Sequence, residues 1–454
     1  MTATLRELQA RLDQRSATAA SLAAEALARI EDPRGEGART MTEVFADSAQ
    51  RQARASDALR EAGLARSALE GIPVSVKDLF DVAGLPTAAG SVVLKSAPPA
   101  KAHAPAVQRL LDAGAVLVAR TNMTEFAYSG LGINPHHGTP RNPWRREEAR
   151  IPGGSSSGAA VAISDGMCVA SVGSDTGGSC RIPAALCGIT GFKPSASRIP
   201  QEGMLPLSPT LDAVGVMAAD VYGCAAMDAV LSGDAAWPVR PADLHDLHNL
   251  RRARFAVPQT LVLDGLSPEV AAAFQAALRR ISAAGAELEE IAAPEFLELA
   301  QMNAAGGFTA AESFAWHAEL IAQQSERYDP RVLSRILRGR GFPAKDYLDL
   351  HRQRGDWRQR LDARLAGFDG WLMPTVPQTA PRIVELEANE ALYFKTNAEM
   401  LRNPSLVNFL DGCALSLPCH APDAAPVGIS LVGATGTDRS TLHWGMAIES
   451  VLRS

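Results

Sequence analysis

The run Ile151–Pro194, IPGGSSSGAAVAISDGMCVASVGSDTGGSCRIPAALCGITGFKP, limits what this chain can fold into more than any other stretch. It holds two Gly/Ser clusters, Gly153–Gly158 and Gly173–Ser179, with a short apolar segment between them. Glycines in series admit positive φ and let several backbone N–H groups converge on one point. Such a concavity attracts negative charge. A hydroxyl placed in it is a candidate nucleophile, and the adjoining N–H groups are candidate donors to an oxyanion. Ser155 and Ser179, one in each cluster, stand 24 residues apart. The stretch reads as an active site.

The elements around it follow from periodicity. Leu5 to Ile30 predicts two amphipathic helices broken near Ser16, which can act as an N-cap, and Thr42 to Ala62 continues helical. Ile72–Lys77 alternates like a short strand and ends on a lysine followed by Asp78. A helix over Ala104–Ala113, closed by Gly114, leads to an apolar strand at Ala115–Ala119. That step predicts a parallel or mixed sheet covered on both faces. Gly158–Ser164 reads as a helix opening at the first cluster, its N-terminus aimed where the loop amides point. Met167–Val172 is then a strand into the second cluster, Gly215–Ala218 another strand and Val221–Leu231 a helix.

Asp234–Leu250 reads as a surface loop; its His245 and His248 find no third ligand nearby, so a solvated loop is preferred to a metal pair. Arg254–Pro258, Pro268–Ala283 and Ala286–Ile291 form a β-α-β unit. Phe296–Phe368 is almost wholly helical in pattern and suits a cap over one side of the sheet. Met373–Thr375 ends a strand, Asn403–Asp411 is a helix, Leu415–Pro418 and Val427–Val432 are strands, and Thr441–Leu452 closes as a helix. The expected fold class is α/β, a single domain over 1–454 with a large, mixed, mostly parallel twisted sheet covered by helices on both faces. N-terminal helices occupy 1–65, the core 66–232, a helical variable region 233–370, and the return to the sheet 371–454.

With 46% hydrophobic and 21% charged residues, the 454-residue chain has an ordinary globular composition. A net charge of −6 argues against a nucleic-acid or acidic-membrane partner. No run approaches the length of a membrane span, and the N-terminus lacks an apolar signal region, so the expected address is the cytoplasm. The six cysteines fit no zinc spacing and read as free thiols. No metal or cofactor is expected, and a homodimer is left open.

A serine hydroxyl needs a base, yet none of the nine histidines lies in either cluster. Lys77 is the alternative. Its amine must fall from about 10.4 to roughly 7–8, as burial can achieve. On the residues alone, a structural lysine paired with Asp78 is the stronger reading. Gly154–Gly158 also fits GxSxG with Ser156 central and His420 or His443 as partner, but Pro152 makes a poor strand ahead of it. Neither cluster carries a phosphate-loop pattern.

The segments GGSSSGAA, GSDTGGSCRIPA and CGITGFKP resemble the signature of the amidase signature family, serine amidohydrolases with a Ser–cis-Ser–Lys triad. Gly71–Ser91, Asn122–Trp144, Trp371–Pro381 and Pro426–Gly433 extend the likeness, in order, over about half the chain. The resemblance implies Ser179 as nucleophile, Ser155 after a cis peptide as relay, and Lys77 as base, reversing the structural reading of that lysine. It implies an oxyanion site on the backbone N–H groups of Thr176, Gly177, Gly178 and Ser179, and an acyl pocket at Tyr128, Ser129, Gly130 and Leu131. Asp175 would orient the loop. Arg181 is a candidate for a substrate carboxylate, against an internal salt bridge. Cys180 stands where an aliphatic residue is common, and Ser157 where a glycine is.

The implied activity is hydrolysis of a linear, small-molecule carboxamide through an acyl-enzyme. The alternative is the glutaminase-type A subunit of a tRNA-dependent amidotransferase complex.

Overall fold

The computed structural model describes residues 3–234 and 250–453. His245, His248 and most of the Asp234–Leu250 loop lie outside them. Among the described residues eleven strands form one sheet: β1 (Met41–Val44), β2 (Pro73–Lys77), β3 (Val116–Thr121), β4 (Ala170–Ser174), β5 (Thr190–Lys193), β6 (Val214–Ala218), β7 (Arg254–Pro258), β8 (Glu287–Ile291), β9 (Gly370–Pro374), β10 (Cys413–Pro418) and β11 (Gly428–Gly433). Their spatial order is β1-β3-β2-β4-β6-β5-β10-β11-β9-β7-β8.

The sheet is mixed, and parallel pairing is the minority. β3, β2 and β4 run parallel on one side, and β9, β7 and β8 on the other. The centre, from β4 through β6, β5, β10 and β11 to β9, is antiparallel throughout. Helical crossovers such as Pro268–Ala283 between β7 and β8 create the parallel flanks. A short return between β10 and β11 makes an antiparallel pair instead. Every residue of β2, β3, β4 and β6 is buried; since successive side chains face opposite sides, both faces are covered there. β8, at the edge, is exposed or half-exposed along its length.

The N-terminal helices are Leu5–Asp13 and Ala19–Glu31, and the cap of the second is Thr18, whose hydroxyl accepts from Ser21 N, rather than Ser16. The helix expected from Thr42 starts only at Ala46, because Met41–Val44 pairs with β3 as an edge strand. The variable region folds into Glu298–Met302, Gly307–Gln324, Pro330–Leu337 and Ala344–Leu365. The helix expected at Asn403–Asp411 begins earlier, at Glu390, capped by Asn389 and running through Pro404. A second apolar cluster, with Trp357, Trp371 and Phe409 buried in it, ties these helices to β9 and β10.

Candidate active site

Lys77 is the last residue of β2, and Ser174 the last of its parallel neighbour β4. The carboxyl ends of adjacent parallel strands are where open α/β sheets place their sites. Lys77 Nζ donates to Ser174 Oγ at 2.8 Å and to Ser155 Oγ at 2.7 Å, with all three side chains buried. Burial pushes the Lys77 ammonium down to about 8, since removing a charge from water favours its neutral form. The pairing of Lys77 with Asp78 that residues alone suggest is absent. Asp78 instead faces Arg120 at 3.0 Å and accepts from Gly90 N and Thr42 Oγ1.

The two Gly/Ser clusters meet. Ser156 N donates to Ser179 O at 3.2 Å, and Thr124 N to Ser155 O at 3.0 Å. The Gly154–Ser155 peptide is cis, as the resemblance implies. Helix Ser157–Ser164 leaves from the first cluster and helix Arg181–Cys187 from the second. Ser156, the centre of the GxSxG pattern, is buried with its hydroxyl directed to Ser174 O at 3.5 Å. His420 has its Nδ1 3.3 Å from Val427 N, a backbone contact far from the role that pattern would require.

Asp175 organises the second cluster. Its carboxylate accepts from Gly178 N at 2.8 Å and Cys180 N at 3.1 Å, and it pairs with Arg181 at 2.9 Å. Burial alone would raise this carboxyl, but Arg181 and Asn408 hold it well below the usual carboxylate range. Gly178 therefore departs from expectation, because its N–H is already given to Asp175. The N–H groups of Thr176, Gly177 and Ser179 make no backbone hydrogen bond among the described residues. Gly178 is required for another reason. Its φ is +122°, and a Cβ there would lie 2.5 Å from Pro404 Cβ.

Arg181 is not placed to meet a substrate carboxylate, contrary to its candidacy. Its guanidinium is fully buried and donates to Asp175, to Pro404 O at 3.1 Å and to Asn408 Oδ1 at 2.6 Å. The internal salt bridge is what the residue makes. Asn408 returns two bonds from Nδ2, to Asp175 O and Oδ1.

A cavity of about 230 Å³ opens onto Ser179, with Tyr128, Ser129, Thr176 and Gly177 in its wall. Gly130 and Leu131 do not line it; they brace it. Asn397 Oδ1 accepts from Gly130 N and Ser129 Oγ, while Gly130 O accepts from Gly154 N at 2.8 Å. The lining also brings in residues that sequence reasoning did not single out: Asn303, Thr309, Arg335 and Arg338 from the helical region, and Ser405 and Phe409. No local signal marks them, because they reach the cavity only through long-range packing. Among the described residues, no group of three or more His, Cys, Asp or Glu is placed to hold a metal ion, and the six cysteines are free.

A family model for amidases matches residues 23–442. The chain is 36% identical over 462 residues to a 2-amino-5-chloromuconic acid deaminase of Comamonas testosteroni, covering 99% of this chain and 96% of that protein. It is 33% identical over 426 residues to the A subunit of the glutamyl-tRNA(Gln) amidotransferase of Synechococcus sp. (strain CC9605), covering 86% and 84%. A crystal structure of an amidase superposes with a TM-score of 0.86 at 32% identity over 99% of both chains. A peptide amidase bound to chymostatin superposes at 0.81 and 25% identity, over 99% and 98%. The chain belongs to the amidase signature family.

Proposed function

We propose that the protein is an amidohydrolase that cleaves a small carboxamide through an acyl-enzyme on Ser179. The observation that carries this reading is the buried contact of Lys77 Nζ with Ser155 Oγ at 2.7 Å, with the amine pushed down to about 8. A lysine in that state is partly neutral near pH 8 and can accept a proton.

Neutral Lys77 takes the Ser155 proton as Ser155 takes that of Ser179. Ser179 Oγ bonds to the amide carbon, and the carbonyl electrons move to oxygen. The N–H groups of Thr176, Gly177 and Ser179 receive that oxyanion, each donor contributing roughly 2.7–4 kcal/mol of barrier lowering. The C–N bond breaks, and the relayed proton leaves with the amine or ammonia. Water attacks the ester by the reverse relay, releasing the acid and restoring Ser179. The relay requires the Ser155 and Ser179 hydroxyls to be in contact in the reacting complex, where catalytic hydrogen bonds often tighten.

A fluorophosphonate adduct located by mass spectrometry tests this. Label on Ser179 supports it; label elsewhere, or none, overturns it. A second reading, the ammonia-releasing component of an amidotransferase, is favoured by the 33% identity to a protein of that name. Hydrolysis of simple amides by the isolated chain supports the stand-alone enzyme, whereas turnover that needs added partner proteins supports the second reading.

A further inference from the structure

The cavity that Ser179 lines is also lined by two guanidinium groups, Arg335 and Arg338, and by no Asp or Glu among the described residues. Both arginines are held by neutral acceptors. Arg335 Nη1 donates to Tyr128 O and its guanidinium lies 4.3 Å from the centre of the Tyr128 ring, while Arg338 Nη2 donates to Ala304 O at 2.8 Å. Neither has a carboxylate within ion-pair distance among the described residues. One turn before Arg335 on the helix Pro330–Leu337, Arg331 pairs with Asp329 at 3.0 Å. The cavity thus holds positive charge with no carboxylate in its lining, in a chain whose net charge is −6.

The same lining contains the start of the 18-residue helix Gly307–Gln324. Gly306, its N-cap, and Thr309 line the cavity, and no side chain caps the helix. Free N–H groups at a helix start reinforce an anion site formed by the arginines. Guanidinium and carboxylate match in charge and in planar geometry.

We infer that this part of the lining is a carboxylate subsite, so that the amide cleaved at Ser179 is the monoamide of a small dicarboxylic acid or a close relative of it. The inference rests on the hydrolytic reading above for the word amide, but not for the anion. The carboxamide lies at the Ser179 end, and the free carboxylate meets Arg338, with Arg335 adding charge while it fixes Tyr128. A negatively charged protein with a positive cavity attracts such an acid selectively into the site.

The test compares succinamate with butyramide, its neutral counterpart, in the wild type, Arg338→Gln and Arg338→Lys. Wild type is expected to favour succinamate in kcat/KM by about tenfold or more, with Arg338→Gln erasing the preference and Arg338→Lys keeping part of it, since Lys retains charge without the planar fork. A wild-type ratio near one, or a ratio unchanged in Arg338→Gln, overturns the subsite and leaves the hydrolytic reading intact. Calorimetry of succinate binding to Ser179→Ala, with and without Arg338→Gln, separates the two claims in the other direction. Succinate bound by Ser179→Ala and lost in the double variant supports the subsite even where no amide is turned over. Succinate bound equally by both overturns it.

Discussion

Asp175 and Arg181 form a fully buried pair, and the same carboxylate holds the N–H groups of Gly178 and Cys180, the residues on either side of Ser179. The conformation of the Ser179 loop is therefore held by one charge and its counter-charge.

Removing the counter-charge leaves Asp175 ionised in a dry site. Arg181→Met is expected to destabilise the protein by about 3–5 kcal/mol, the usual cost of breaking a buried pair from one side. Urea denaturation reads this directly. Because the folded carboxyl lies below its ordinary range, its stabilisation is complete above the unfolded value of about 3.9 and is lost as pH falls below that. An Arg181→Met protein with wild-type stability would show that the pair does not hold the loop.

Two serines in the first cluster and one in the second compete for the nucleophile's role, and geometry separates them. All three are buried, but Ser179 lines the cavity and Ser155 and Ser156 do not. Ser179→Ala is expected to abolish fluorophosphonate labelling and to lower kcat by at least about 10³-fold, on the scale of losing a nucleophile. Ser156→Ala retains labelling. The reverse pattern would assign the chemistry to the GxSxG serine.

The lysine predicts the direction of the pH profile. As the proposed base, Lys77 would act only when neutral, and with its value near 8 the neutral fraction grows as pH rises through that point. The rate constant kcat/KM should therefore climb with an apparent pKa of about 8, and Lys77→Met should remove both the activity and the titration. The same lowering makes stability rise between about 8 and the ordinary 10.5, because the unfolded chain binds that proton more tightly. A profile flat from pH 6.5 to 9.5, on the scale where a group near 8 must titrate, would exclude Lys77 as the base.

What the sequence makes legible here is local. The alternation that ends at Lys77, the two clusters and the β-α-β unit from Arg254 to Ile291 each depend on neighbours in the chain, and each is found. The edge strand Met41–Val44 is hidden because it is only four residues long, carries Glu43, a poor strand former, and runs into the helix that follows, so only pairing with β3 decides it. Pro404 disguises the helix Glu390–Leu410, although its carbonyl is used to hold Arg181. Asn397, Asn408, Arg335 and Arg338 shape the site from more than 150 residues beyond Ser179, through contacts that no local pattern encodes.

The glycines give a paired prediction in which the same substitution has opposite signs. Gly355 lies within the helix Ala344–Leu365 with open space around it, so Gly355→Ala gains helix propensity and should stabilise by about 0.5–1 kcal/mol. Gly158 also lies in a helix, Ser157–Ser164, but a Cβ there would meet Thr40 O at 2.4 Å and Asn122 N at 2.7 Å. Those are backbone atoms of two other segments and cannot rotate away. The propensity gain is outweighed by overpacking, which costs about 1–3 kcal/mol. Gly158 N also donates to Asn122 O, so any shift propagates through Asn122 to Thr124, whose N–H holds Ser155 O. Gly158→Ala should therefore lower both the urea midpoint and kcat, while Gly355→Ala raises the midpoint and leaves kcat unchanged. If Gly158→Ala also raised the midpoint, the close packing of this helix against Thr40 and Asn122 would be refuted, and with it the route by which the first cluster is held against the sheet.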